Sequence, residues 1–236
     1  MAGQRRRSLW PTRIVWVAAC LVSLGQGPAA AAATVPTEGE LVLLRYSIMN
    51  CIMRRSAPEM RRYLETVPNS PAEVKMFLAA RPGECLDDAH TGAGNGAVIS
   101  SRFSRGAVAE FALRRDFAAV GQLKAQHRSV PVFAPLTAMQ LDVLRTTNDG
   151  RDLDDVVTLT AIECVVRADP VGAFELFRTE LRSPEERAVI VALQPRIGEC
   201  YPAGKTFALD RSTLRALVAE AAYRVSVEIA ASRPPG

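Results

Sequence analysis

Two cysteine-framed stretches of this chain run through the same residues in the same order. Cys51 is followed by IMR and Cys164 by VVR, which aligns Arg54 with Arg167. Pro58 and Pro170 come soon after; then Ser70, Pro71 and Glu73 stand 19, 20 and 22 residues beyond Cys51, as Ser183, Pro184 and Glu186 do beyond Cys164. GEC follows in both, at 83–85 and 198–200, and VAEFALR at 108–114 aligns with VAEAAYR at 218–224. Collinear matches of this kind seldom arise by chance, so the pattern predicts an internal duplication. One unit spans 41–120 and the other 153–230, with a linker at 121–152 centred on the Pro131 and Pro135 region.

Each unit owns two cysteines at equivalent places. Four cysteines allow three pairings, and the repeat favours the pairing within units, Cys51 with Cys85 and Cys164 with Cys200. Each bridge would close a loop of about 35 residues, worth about 3 to 4 kcal/mol in the chain-entropy account. Cross-unit pairing is the alternative.

A disulfide framework implies an oxidising compartment, and residues 1–33 agree. Arg5, Arg6, Arg7 and Arg13 precede the apolar run IVWVAACLVSL and then PAAAAA, the pattern of an export signal cleaved near Ala33. The apolar run is about ten residues, half of what a bilayer span needs. Val17 to Cys20 also resembles a lipobox, which would make Cys20 a lipid anchor; the apolar run continuing past Cys20 favours ordinary cleavage. The chain has 29 Lys plus Arg against 25 Asp plus Glu, and the signal holds four arginines and no acid, leaving twenty-five of each sign. A neutral remainder gives no footprint for nucleic acid. The expected location is periplasmic or secreted.

The fold class read from the pattern is all-α. Leu44, Ile48, Cys51 and Ile52 share one helical face, and Val157, Ala161, Cys164 and Val165 repeat it, which points the first cysteine of each unit into the core. SPAE at 70–73 and SPEE at 183–186 read as capping boxes, with Ser as N-cap, Pro at the first helical position and Glu reaching back. Asp169 before Pro170 proposes another start. Leu214, Leu217, Val218, Ala221, Val225 and Ile229 follow helical spacing downstream of Asp210, and a counterpart runs over about 104–120. VPVF near Val130 and TFAL near Thr206 are short and ambiguous, and the tail at 231–236 reads as disordered.

Glu110 with Arg114, and Glu220 with Arg224, are i,i+4 pairs with Glu first, the better orientation for a helical ion pair. Beside the apolar stripe they read as rim salt bridges. The sharper alternative is a polar site built from Arg54, Glu110, Arg167 and Glu220 where the units meet. TGAGNGA at 91–97 follows no strand and opens no helix, so it reads as a loop and not a nucleotide cradle. His90 and His127 have no metal-ligand spacing, and no GxSxG occurs. The sequence therefore nominates no catalytic, cofactor-binding or metal-ligating residue.

The set CxxR, SPxE, GEC and VAExxxR behind an export signal resembles exported helical proteins of sphingomonad-type alphaproteobacteria. That resemblance covers nearly all of the chain after residue 33. It implies an envelope location and helical modules, and it carries no activity or site residue. The expected function is a non-enzymatic interaction or structural module for an envelope protein or a small ligand. A small envelope enzyme using the junction residues and a carrier of lipid or another amphiphile are the alternatives.

Overall fold

The computed structural model describes residues 37–68, 70–88, 101–117, 151–201 and 209–231, without the side chains of 101 and 151–157. The export segment with Cys20, the TGAGNGA loop with His90, His127, nearly all of the linker, VPVF and residues 232–236 lie outside the described residues. Among those described, nine helices and no strand occur: α1 (Glu38–Arg55), α2 (Ala57–Glu65), α3 (Pro71–Ala79), α4 (Gly83–Asp88), α5 (Ser101–Asp116), α6 (Arg151–Ala168), α7 (Pro170–Leu176), α8 (Pro184–Cys200) and α9 (Arg211–Ala231). The all-α expectation therefore holds. Arg151 and Asp152, assigned to the linker, already belong to α6, and Ala231, assigned to the tail, ends α9.

Local chemistry starts these helices where the sequence says it should. Ser70 Oγ accepts from the Glu73 amide and Ser183 Oγ from the Glu186 amide, with Pro71 and Pro184 at positions whose amide would go unpaired in any case. Asp169 Oδ1 accepts from Gly172 at the start of α7. Asp210 accepts the Ser212 and Thr213 amides ahead of α9. Thr37 and Glu40 complete a reciprocal capping box before α1: Thr37 Oγ1 accepts from the Glu40 amide, and Glu40 accepts from the Thr37 amide.

The two longest-range partners, α5 and α9, lie against each other at the centre. α1 and α2 pack on α5, with α3 on α2 and α4 on α1; α6 and α7 pack on α9, and α8 packs on both of those. The arrangement follows from composition. Val108, Ala109, Ala112 and Leu113 of α5 are buried together with Leu217, Val218, Ala219, Ala221 and Ala222 of α9. Small side chains on facing helices let the backbones approach closely. The apolar face of α9 read from spacing, from Leu214 to Ile229, is buried at every one of its six positions.

Both disulfides form within their own half: Cys51–Cys85 with Cα atoms 5.9 Å apart and Cys164–Cys200 with 5.7 Å. The expectation that the first cysteine of each pair points inward fails for Cys164, which is exposed, while Cys51 is half-buried. The cause lies in the partner strands of chain. In the N-terminal half the chain breaks after α3, with Arg81 in the left-handed region at φ 52°, and the short α4 turns back against α1. Its Cys85 is only 3% exposed. In the C-terminal half two more residues separate SP from GEC, and α8 runs straight through Pro195 to Cys200.

Candidate functional site

The interface between α5 and α9 is lined by charge. Arg105 is 0% exposed, and its guanidinium is fully engaged: Nε donates to Glu220 Oε1 at 2.9 Å, Nη1 to the Tyr63 carbonyl at 3.0 Å, Thr66 Oγ1 at 3.1 Å and Glu73 Oε1 at 3.2 Å, and Nη2 to the carbonyls of Leu64 at 3.0 Å and Thr66 at 3.1 Å. Tyr63, Leu64 and Thr66 end α2, where helix carbonyls lack intrahelical partners and carry the negative end of the dipole. A single side chain thus caps α2 and binds two carboxylates. Its Cζ also stands 5.1 Å from the centre of the Tyr63 ring, within cation–π reach.

Arg215 repeats this arrangement from α9. Nε and Nη2 form a bidentate pair with Glu110 at 2.9 and 2.7 Å; Nη1 donates to Glu186 Oε1 at 2.9 Å and Thr179 Oγ1 at 3.2 Å, and Nη2 to the Thr179 carbonyl at 3.1 Å. Each arginine therefore takes one glutamate from its own half and one from the other. The partners correspond along the sequence match, Glu73 with Glu186, Thr66 with Thr179 and Glu110 with Glu220. Arg114 and Arg224 close the ring. Arg114 donates to Glu110 at 2.6 Å and to the Phe177 carbonyl across the interface; Arg224 donates to Glu220 at 3.1 Å and to the Thr66 carbonyl at 3.3 Å.

The electrostatics follow from burial against pairing. Burial pulls the Arg105 guanidinium down, but Glu220, Tyr63 and Glu73 outweigh it and leave its pKa above the ordinary value; Arg215 is raised in the same way by Glu110. For Arg224 burial wins, joined by the like charge of Arg105, and its pKa falls. The Tyr46 hydroxyl is buried beside the Glu110 carboxylate without a hydrogen bond, and burial followed by that charge pushes its pKa far up.

Of the residues nominated from sequence, Glu110 and Glu220 are 1% and 2% exposed. They sit inside the interface and not on its rim, because each faces an arginine from the opposite half. Arg114 and Arg224 are their i,i+4 partners as expected. Arg167 stands in the last turn of α6, donating to Glu163 of the same helix at 2.8 Å and to Glu228 of α9 at 2.7 Å. Arg54 is exposed near the end of α1, away from this ring. Sequence reading missed Arg105 and Arg215, and it took Glu73 and Glu186 for capping groups. Those glutamates follow their serine caps, and Glu186 reaches back to accept the Arg182 amide at 2.9 Å, but each also directs a carboxylate oxygen at a buried arginine.

The ring is saturated, so chemically it can orient and lock but presents no unpaired nucleophile. Among the described residues no group of three or more His, Cys, Asp or Glu is placed to hold a metal ion. Comparison with protein-family models, curated proteins and solved structures finds no match for this chain.

Proposed function

We propose that the chain is an exported, non-enzymatic protein of two duplicated helical modules, locked about a pseudo-twofold axis and acting through its outer surface on a partner in the cell envelope. The observation that carries this reading is the reciprocal arginine–glutamate ring: Arg105, Arg114, Glu73 and Glu110 of one half and their counterparts Arg215, Arg224, Glu186 and Glu220 of the other are spent on joining the two. Two disulfides fit a chain that matures in an oxidising compartment. Among the described residues no helix is long and apolar enough to cross a membrane. Leu78 and Val191, aligned through the SP motifs when the two-residue difference is placed after them, are both large, apolar and outward-facing, 60% and 53% exposed. A repeated exposed apolar position suits a repeated contact.

The test is a photoreactive residue placed at Leu78 or at Val191, with Glu185 as control, in cells of the native source. Capture of one and the same envelope protein from both apolar positions, and none by a chain whose four described cysteines are serine, is the expected result. No capture, or equal capture by the four-serine chain, would remove the reading.

A further inference from the structure

The two clasps have matching sequences and unlike surroundings. Cys85 belongs to the hydrophobic core cluster and the half-buried Cys51 packs against it, with Ile52, Met53 and Leu86 buried beside them in sequence. Neither Cys164 nor Cys200 belongs to it; Cys164 is exposed and Cys200 half-buried at the very end of α8. The last turn of α8 is also weakly seated. Pro195 lacks an amide to bond the carbonyl four residues back. Gln194, Pro195, Arg196, Gly198 and Glu199 are all exposed, leaving Ile197 as the turn's apolar contact with the core. The opposite end of α8 is pinned: Arg211 reaches the Ser183 carbonyl at 3.2 Å and Glu186 at 2.9 Å, and Arg215 holds the other Glu186 oxygen.

We propose that Cys164–Cys200 is a thiol-exchange site, opened by a dithiol while Cys51–Cys85 stays closed and the fold stays intact. A thiolate of the dithiol attacks Sγ of Cys164, the more exposed sulfur-bearing residue, forming a mixed disulfide and expelling Cys200 as a thiolate that takes up a proton. The second thiolate of the dithiol then attacks its own sulfur in the mixed disulfide and releases Cys164. The dithiol ends oxidised to a disulfide, and both cysteines end reduced. Exchange rate depends on access to the attacked sulfur, and the first clasp offers less of it, with Cys85 buried and Cys51 half-buried where Cys164 is exposed. Reduction frees the turn after Pro195 from α6, with the Ser183 end still held by Arg211 and Arg215. The second clasp is thus a place where redox state changes the shape of one helix end.

The experiment uses the full chain under native conditions, graded dithiothreitol, quenching by iodoacetamide and peptide mass spectrometry. Cys164 and Cys200 should acquire label at least about tenfold faster than Cys51 and Cys85, as expected when access governs exchange. Helical circular dichroism should fall only slightly, and amide exchange should rise within 192–201 and not within 184–188. Equal rates for the two clasps, faster labelling of Cys51 and Cys85, or no labelling until helicity is lost would each overturn the proposal. A C164S/C200S chain should yield no thiol other than Cys20 at the concentrations that label the native protein, which guards against misassigned peptides.

Discussion

Gly106 of α5 and Ala216 of α9 meet where the two helices cross: a β-carbon on Gly106 would stand 2.2 Å from Ala216 Cα and 2.4 Å from its carbonyl oxygen. The two positions correspond in the sequence match, so like meets like at the crossing. Only one of them has room for a methyl group. Gly106→Ala forces backbone against backbone and should lower stability by about 3 kcal/mol, the upper end for overpacking. Adding Ala216→Gly moves the glycine to the other helix, and the near-symmetry of the crossing lets it relax there. Urea melts of both single variants and the double should show a double variant more stable than Gly106→Ala alone, with a coupling above about 1 kcal/mol. A strictly additive double would mean that the crossing is not symmetric.

The ring predicts that its two arginines are equally indispensable. Arg105→Met takes the buried arginine from Glu73 and Glu220 and leaves Glu220 with Arg224, and Arg215→Met takes it from Glu110 and Glu186 and leaves them with Arg114 and Arg211. Removing one partner from a buried ion pair costs about 3 to 5 kcal/mol. Lysine should rescue either site only in part, since an ammonium supplies the charge but has three donors and lacks the planar fork that serves carbonyls and carboxylates together. Denaturant midpoints should therefore order native above both Lys variants and those above both Met variants, with Arg105 and Arg215 alike. Arg54→Met, on the exposed surface, is the control and should change stability by less than about 0.5 kcal/mol.

The sequence announced what is local and hid what is not. Ser70, Ser183, Asp169 and Asp210 cap helices through atoms two or three residues away, and the buried face of α9 is a matter of period; both are readable from neighbours along the chain. Arg105 lies five residues before Glu110, too far for a helical ion pair, and its glutamate Glu220 is contributed by the other half. No window of the chain contains both. The one available clue was comparative: extending the VAE match three residues upstream aligns Arg105 with Arg215, and Thr66 aligns with Thr179 at the same offset as the cysteines. Glu73 and Glu186 misled because a capping box is a sufficient local account of a glutamate there. The exposure of Cys164 was hidden in a two-residue difference in spacing, which gives a helix break in one half and a continuous α8 in the other.

The clasps should be equal in energy though unequal in access. Their sequence separations are 34 and 36, so the loop entropy that each removes from the unfolded chain is nearly the same. C51S/C85S and C164S/C200S should each lower stability by about 3 to 4 kcal/mol, and by amounts that agree within about 1 kcal/mol. Calorimetry or guanidinium melts of the two variants check this. A much larger loss at the first clasp would show that the packing around Cys85, and not loop closure, dominates.

Alkaline pH should unfold this protein through its tyrosines. Tyr46, Tyr63 and Tyr223 all have folded-state pKa values raised above 10.0, in each case chiefly by burial; the next contributions come from Glu110, Glu73 and Asp116 respectively. A group held protonated in the fold but free to ionise when unfolded contributes stability that is intact below the unfolded pKa and drains away as pH rises above it. Stability should therefore be flat with respect to these groups up to about pH 9 and fall progressively from pH 10 upward. Tyr46 isolates the effect, because its hydroxyl is buried and unpartnered against a carboxylate, while the aligned residue in the other half is the apolar Leu159. Tyr46→Phe deletes an unsatisfied polar group and should raise stability at pH 7 by about 1 kcal/mol. It should also make the decline above pH 10 shallower by one titrating group. Urea midpoints measured at pH 7, 9, 10 and 11 on both proteins give both quantities. A Phe variant less stable at pH 7 would mean that the Tyr46 hydroxyl is hydrogen-bonded in solution, and an unchanged alkaline slope would mean that it ionises within the fold as it does in the unfolded chain.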